Sequence, residues 1–270
     1  MKTLIGLILL GAPVLAARPD DKETVASAAA KAADAGSYTF KGEIKLESAF
    51  GNLPQQIPSM DGKYQKDVGL LISVGERGEF FRRGDKNFVK TGQGEWTELE
   101  KAQLGGAGGG AGGGQNRQRG ALMGRMMIKN LKAPHEEVKD IAKGFKELKK
   151  EEKSDKVGEK DCAVYGGDLS EEGVKSSPLG KMIGQLGALG GGAQNAEMSG
   201  KGRLWIDPDG AIVKFELTTK VAVDFQGNQI EFTMARSTEI SAVGKTKVEV
   251  PDGVRKLLEK PAEKSEDKEK

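Results

Sequence analysis

The chain has 270 residues, with 42 Lys or Arg against 40 Asp or Glu and a formal net charge of +2. That balance argues against a nucleic-acid binder, which needs a concentrated cationic surface. A single cysteine and a single histidine exclude an intramolecular disulfide framework and a typical Cys/His zinc site.

Residues 1–17 read as a cleaved secretory leader. Lys2 supplies the basic start, Ile5–Leu10 the apolar centre, and Val14-Leu15-Ala16-Ala17 the small-residue cleavage region. The segment is too short to span a bilayer, no comparable apolar run follows, and no cysteine stands just after it for lipid attachment. The expectation is a periplasmic or secreted chain: a single domain over residues 18–258, then a charged, solvated tail over 259–270.

An Ala-rich helix is predicted at Lys22–Ala35, with Asp20 or Asp21 as cap and Gly36 as stop. A strand follows at Tyr38–Glu47, with Phe40, Gly42, Ile44 and Leu46 on one face. Pro54 and Pro58 mark a loop. Shorter strands are predicted at Gly62–Asp67, Leu70–Val74, Glu79–Arg83, Phe88–Thr91 and Glu95–Leu99. The glycine run 105–114 reads as a mobile loop, having no side chains to bury against its ordering entropy.

Two helices are expected next. Gly120–Leu131 carries Leu122, Met123, Met126, Met127 and Leu131, and Pro134 opens a second helix to about Lys150 with Val138, Ile141, Phe145 and Leu148 as its stripe. A strand at Asp161–Leu169 precedes helical spacing at Leu179, Met182, Ile183, Leu186 and Leu189, which ends in Gly190–Gly192. Asp207-Pro208-Asp209-Gly210 has turn chemistry and joins Gly202–Ile206 to the longest strand. There Val213, Phe215, Leu217, Thr219, Val221, Val223 and Phe225 alternate with polar residues. Gln226-Gly227-Asn228 closes a hairpin into Gln229–Ile240, where Ile230, Phe232, Met234 and Ile240 share a face. Gly244 turns the chain into a last strand at Thr246–Val250, which Pro251 stops.

Trp205, Asp207 and Gly210, two long strands, and the ending Gly244, Val248, Val250, Pro251 together resemble the LolA-like superfamily of bacterial envelope proteins, closest to its LppX/LprG-type branch. Ser37-Tyr38-Thr39-Phe40 after the first helix and Tyr165-x-Gly167 fit the same order. The resemblance implies an α+β fold: a strongly curved antiparallel sheet, an open half-barrel, with helices over its concave face. It also implies carriage of lipids or lipoprotein acyl chains in the space between. The chain departs from the LppX/LprG pattern in lacking a lipidated cysteine.

The residues support a ligand space partly on their own. Strands of a dozen residues curl, and their concave apolar face must be covered. Helices rich in Met and Gly fill space adaptably, which suits an acyl chain. The expected wall and lid residues are Phe40, Ile44, Leu46, Met123, Met126, Met127, Met182, Ile183, Leu186, Trp205, Phe215, Leu217, Val221, Phe232 and Met234. The plainer account of the same stripes is an ordinary helix-on-sheet core. Arg117, Arg119 and Arg125 read as a solvated basic loop, with an anionic lipid headgroup as the functional alternative.

His135, beside Glu136 and Glu137 at a helix start, reads as a surface residue, and Cys162 as a small buried apolar one. Neither a metal nor another cofactor is called for, and the glycine runs lack a phosphate-binding pattern. The expectation is therefore a monomeric carrier of a lipid or lipoprotein acyl chain, without enzymatic activity and with only transient membrane contact. An envelope sensor or adaptor that binds a protein partner is the alternative.

Overall fold

The computed structural model describes residues 20–48, 56–102, 128–188, 196–225 and 228–259. In chain order its elements are α1 (Asp21–Asp34), β1 (Ser37–Ser48), β2 (Gln56–Gln65), β3 (Gly69–Val74), β4 (Gly78–Arg83), β5 (Lys86–Thr91) and β6 (Thr97–Glu98). There follow α2 (Pro134–Gly144), β7 (Lys149–Lys150), β8 (Asp155–Val157), β9 (Lys160–Asp168), α3 (Glu171–Ser176) and α4 (Pro178–Ala188). The C-terminal part comprises β10 (Glu197–Ile206), β11 (Ile212–Phe225), β12 (Asn228–Ser241) and α5 (Asp252–Glu259).

The strands form one open antiparallel sheet in the order β6-β5-β4-β3-β2-β1-β12-β11-β10-β9-β7, with β8 pairing off β9. The first strand and the last long one meet at its centre, where Phe40 opposes Ile240 and Leu46 opposes Met234. Both halves of the chain are thus needed for one sheet. The class is α+β, as the pattern implied, and the sheet does not close into a barrel. Among the described residues no helix is long and apolar enough to cross a membrane.

Period-two alternation places one apolar row per strand on the helix-covered face. Phe40, Ile44 and Leu46 of β1, Phe215, Leu217 and Val221 of β11, and Met234 and Ile240 of β12 join a single buried cluster. Val25, Ala28, Ala29 and Ala32 of α1 belong to the same cluster. Asp20 starts α1 by accepting a hydrogen bond from the Glu23 amide at 2.7 Å. The missing side chain of Gly62 is used in full: a Cβ there would lie 2.0 Å from the Phe40 ring, which covers its cross-strand partner.

Several expectations are corrected. The helix from Pro134 ends at Gly144, not near Lys150, because Phe145 is extended (φ −71°, ψ 137°). Its ring packs over Gly202, where a Cβ would come within 2.7 Å, and Lys149–Lys150 turn to pair with β9. Pro58 lies inside β2 rather than in a loop. It falls beside the register shift between Gly42 and Ile44, beyond the end of the β3 pairing, where the missing donor is tolerated.

Thr246–Val250 form no ladder; the Val248 amide donates instead to the Gln65 side chain at 2.9 Å. After Pro251 comes the unanticipated α5, whose buried Val254 packs with Phe81, Phe88 and Val248 in a second cluster. The short α3 and β8 were not anticipated either, and β10 begins at Glu197 rather than Gly202. The glycine run 105–114, nearly all of the helix expected at 120–131, Gly190–Gly192, and residues 1–17 and 260–270 lie outside the described residues.

Candidate functional site

The expected ligand residues divide into groups. Phe40, Ile44, Leu46, Met182, Ile183, Phe215, Leu217, Val221 and Met234 are all buried in the one cluster between sheet and helices, and Phe232 packs against it. Leu186 lies in α4. Met123, Met126 and Met127 lie outside the described residues, as do Arg117, Arg119 and Arg125.

Trp205 stands on the other face of the sheet. It packs with Cys162, Val164 and Val213 in a separate small cluster. Its indole N–H donates to Asp155 at 3.1 Å, and Arg203 and Lys214 lie 4.9 and 4.7 Å from its ring centre. Val213 was expected on the inner row with Phe215. The register shifts between Trp205 and Ile206, so Ile212 takes the inner place and Val213 the outer one. The turn at Asp207–Gly210 is as its residue types imply: Asp207 accepts from the Ala211 amide at 2.9 Å and from the Lys160 ammonium, and Gly210 has φ +78°.

Two small cavities lie between the sheet and α2–α4. One, of about 30 Å³, is lined by the apolar Ile141, Leu169 and Leu217 together with the charged Glu137, Lys132, Asp140, Lys181 and Arg236. The other, also about 30 Å³, is bounded mainly by Ile44, Leu131, Met182 and Met234. Arg236, Asn130 and Pro178 border both. The pair therefore places a recess of mixed lining, with charged groups at one side, beside an apolar one on the inner face of β12.

Arg236 is the residue the periodicity overlooked. It occupies an inward position between Met234 and Thr238, and its guanidinium donates to Glu137 Oε1 at 2.8 Å. The two side chains are only 4% and 8% exposed. Burial pushes the Glu137 carboxyl above its ordinary value, with Arg236 pulling the other way. Glu137 Oε2 finds no hydrogen-bond donor among the described residues. A lone arginine in register with an apolar stripe was the available signal, and so was a glutamate four residues before Ile141 on a helix face.

A second polar group surrounds His135, which is half-buried and not a surface residue. Tyr38 Oη lies 2.5 Å from its Nδ1, and Tyr64 stacks on Tyr38 with ring centres 5.1 Å apart. Burial holds the Tyr38 phenol above its ordinary value and the His135 imidazole below 6.5. Both groups are therefore neutral, joined by one hydrogen bond between the phenol oxygen and Nδ1. Beside them Glu136 accepts from Arg82 at 2.6 Å and from the Ala133 amide at 2.9 Å. Burial opposes ionisation of Glu136, yet these hydrogen bonds outweigh it and hold its carboxyl below the ordinary value. The group ties α2 to β1, β2 and β4.

No protein-family model and no curated protein matches the chain. Among solved structures, 87% of this chain aligns with 97% of a LolA superfamily protein from Nitrosomonas europaea, at 8% identity and a TM-score of 0.28. A bifunctional dehydratase-cyclase domain of ambruticin biosynthesis aligns over 81% of this chain and 80% of its own, at 13% identity and a TM-score of 0.12. At such distances neither likeness carries a functional argument; the sheet and its two recesses do.

Proposed function

We propose that the chain is an exported, LolA-like binding protein that carries a lipid or lipoprotein acyl chain between its sheet and helices α2–α4. The observation that carries this reading is the apolar wall of Ile44, Leu217, Val221 and Met234, covered by short helices and not by a second sheet. Met182 of α4 borders the apolar recess on that wall, and its unbranched thioether can yield to a chain. Each buried methylene contributes about 0.8 kcal/mol, so a partly enclosed acyl chain binds usefully.

A recess of about 30 Å³ takes no whole chain. Loading therefore requires α4 to move from the sheet, as lids do in gated sites. In this reading residues 1–17 are a removed leader, 18–258 one carrier domain and 259–270 a solvated tail. The carrier is monomeric and periplasmic or secreted, touches membranes only transiently, and has no catalytic role. The neutral Tyr38–His135 pair is then a strut, without an activated nucleophile.

The close packing of the described core favours a second reading, an envelope adaptor that binds a protein through the same fold. Native mass spectrometry of chain purified without detergent separates the two. A stoichiometric adduct that yields a defined lipid on extraction supports the carrier. A chain still bare after incubation with envelope lipids supports the adaptor.

A further inference from the structure

Three successive residues at the start of α2 are tied to three different strands. His135 meets Tyr38 of β1 at 2.5 Å, Glu136 accepts from Arg82 of β4 at 2.6 Å, and Glu137 accepts from Arg236 of β12 at 2.8 Å. The second and third ties are ion pairs. The first joins two neutral groups, and an imidazole ordinarily changes charge near neutral pH. Tyr38 is fully buried, and Tyr64 of β2 lies over the half-buried imidazole with ring centres 4.7 Å apart. Arg82 of β4 and Lys139 of α2 oppose a positive charge on His135, and Glu136 favours one. Asp67 acts on the Tyr64 phenol beside it. Glu136 is already engaged by Arg82 and by the Ala133 amide. A protonated His135 would therefore be a third cation beside Arg82 and Lys139, where burial denies it full hydration.

We propose that His135 is a proton-operated catch: on taking up a proton it frees the first turn of α2 from β1 and β2. The new charge also competes with Arg82 for Glu136, so the tie to β4 weakens with it. The Glu137–Arg236 pair stays and keeps α2 on β12. Gly144 and Gly173 are in backbone contact, and the Ser170 amide donates to the Gly144 carbonyl at 2.8 Å, so α3 moves with α2. The imidazolium is better hydrated in the open form. Opening therefore gains weight as pH falls through the ordinary histidine value, by at most tenfold per pH unit for one proton. The catch does not depend on the carrier reading; within that reading, acid is the signal that loosens the helical cover.

The test is hydrogen exchange resolved by NMR on the full mature chain, free of lipid, between pH 7.5 and 5.5. The chain has one histidine, so a single imidazole signal reports the titration in the unaltered protein, whether or not a variant folds. That signal should titrate below 6.5. Protection of the amides of Val138 to Ala142, corrected for the intrinsic pH dependence of exchange, should fall about threefold or more. At pH 5.5 these amides should be less protected than those of β11, which marks an opening short of unfolding. His135→Gln is neutral throughout and should remove the fall. An imidazole that titrates at 6.5 or above, or α2 protection that does not change, overturns the catch. So does equal protection of α2 and β11, or a fall that persists in His135→Gln, as titration of Glu137 would give. None of these measurements contains a ligand. Their failure leaves the carrier reading standing, and a chain that binds no lipid leaves the catch standing.

Discussion

Arg236 of the central strand β12 and Glu137 of helix α2 meet at 2.8 Å although 99 residues separate them in the chain. They form an almost solvent-free ion pair on a mainly apolar wall. Such a pair is costly to break and weak in net stabilisation, because both charges lose their hydration on folding.

Removing one partner should therefore hurt far more than removing both. Arg236→Met leaves the buried Glu137 carboxyl without its partner, and is expected to cost about 3–5 kcal/mol in urea unfolding. Combining it with Glu137→Leu should return stability to the parent level or above. Additive losses in the double variant would contradict the pairing.

Acid should weaken the contact of α2 with β1. His135 is held neutral below its ordinary value of 6.5 by burial. Below that pH the unfolded chain takes up the proton first, so the stability present above it is lost as pH falls toward the folded value. Glu137, raised from 4.5, works in the opposite sense, its contribution fading as pH rises. The difference in stability between the unaltered chain and His135→Gln isolates the histidine. That difference should shrink from pH 7.5 to 5; a flat difference would show that His135 titrates normally. Tyr38→Phe strips the imidazole of its hydrogen-bond partner and should cost about 1–2 kcal/mol at neutral pH.

Two glycines of the helical cover should respond oppositely to alanine. A Cβ on Gly173 would lie 2.3 Å from the Gly144 carbonyl oxygen, and backbone on both sides cannot yield cheaply. Gly173→Ala should cost about 1–3 kcal/mol by separating α2 from α3. Among the described residues nothing lies within 4 Å of a Cβ built on Gly184 of α4. Gly184→Ala should stabilise by about 0.5–1 kcal/mol through helix propensity. Thermal denaturation of the two variants reads both signs.

Trp205 supplies a test of the face assignment. Trp205→Phe loses the hydrogen bond to Asp155 and weakens the contact with two cations, at about 1–2 kcal/mol of stability. Because Trp205 sits on the outer face, lipid binding should be unchanged in the folded variant. Met182→Asp, on the inner side, should weaken it about tenfold or more, and the exposed-face Lys220→Ala should have no effect. A binding loss on Trp205→Phe equal to that on Met182→Asp would relocate the site.

Alternation along β1, β11 and β12 makes the strands, their inner rows and the α+β class legible in the residues alone, since a half-buried sheet forces a period of two on its side chains. The same alternation misplaces Val213, because a bulge shifts register by one position without changing composition. Trp205 is ambiguous for a different reason: an aromatic ring fits either face, and its hydrogen-bond partner Asp155 is brought by the β8–β9 hairpin, which the pattern does not announce. The stop of α2 at Gly144 is equally invisible locally, since apolar spacing continues through Phe145 and Leu148 while Gly173 and Gly202 supply the reason to end.

Neighbours along the chain specify the strand pattern, the charge balance that disfavours nucleic acid, and the apolar rows that make one face of the sheet a wall. Those properties are written in periods of two and 3.6. Folding in three dimensions was required to bring Arg236 to Glu137, to seat His135 under Tyr38, and to set charged groups beside an apolar recess. These contacts join residues about a hundred positions apart, as the 99-residue span of the ion pair illustrates. No local pattern encodes them, because burial of a charge becomes favourable only once the fold brings its partner within reach.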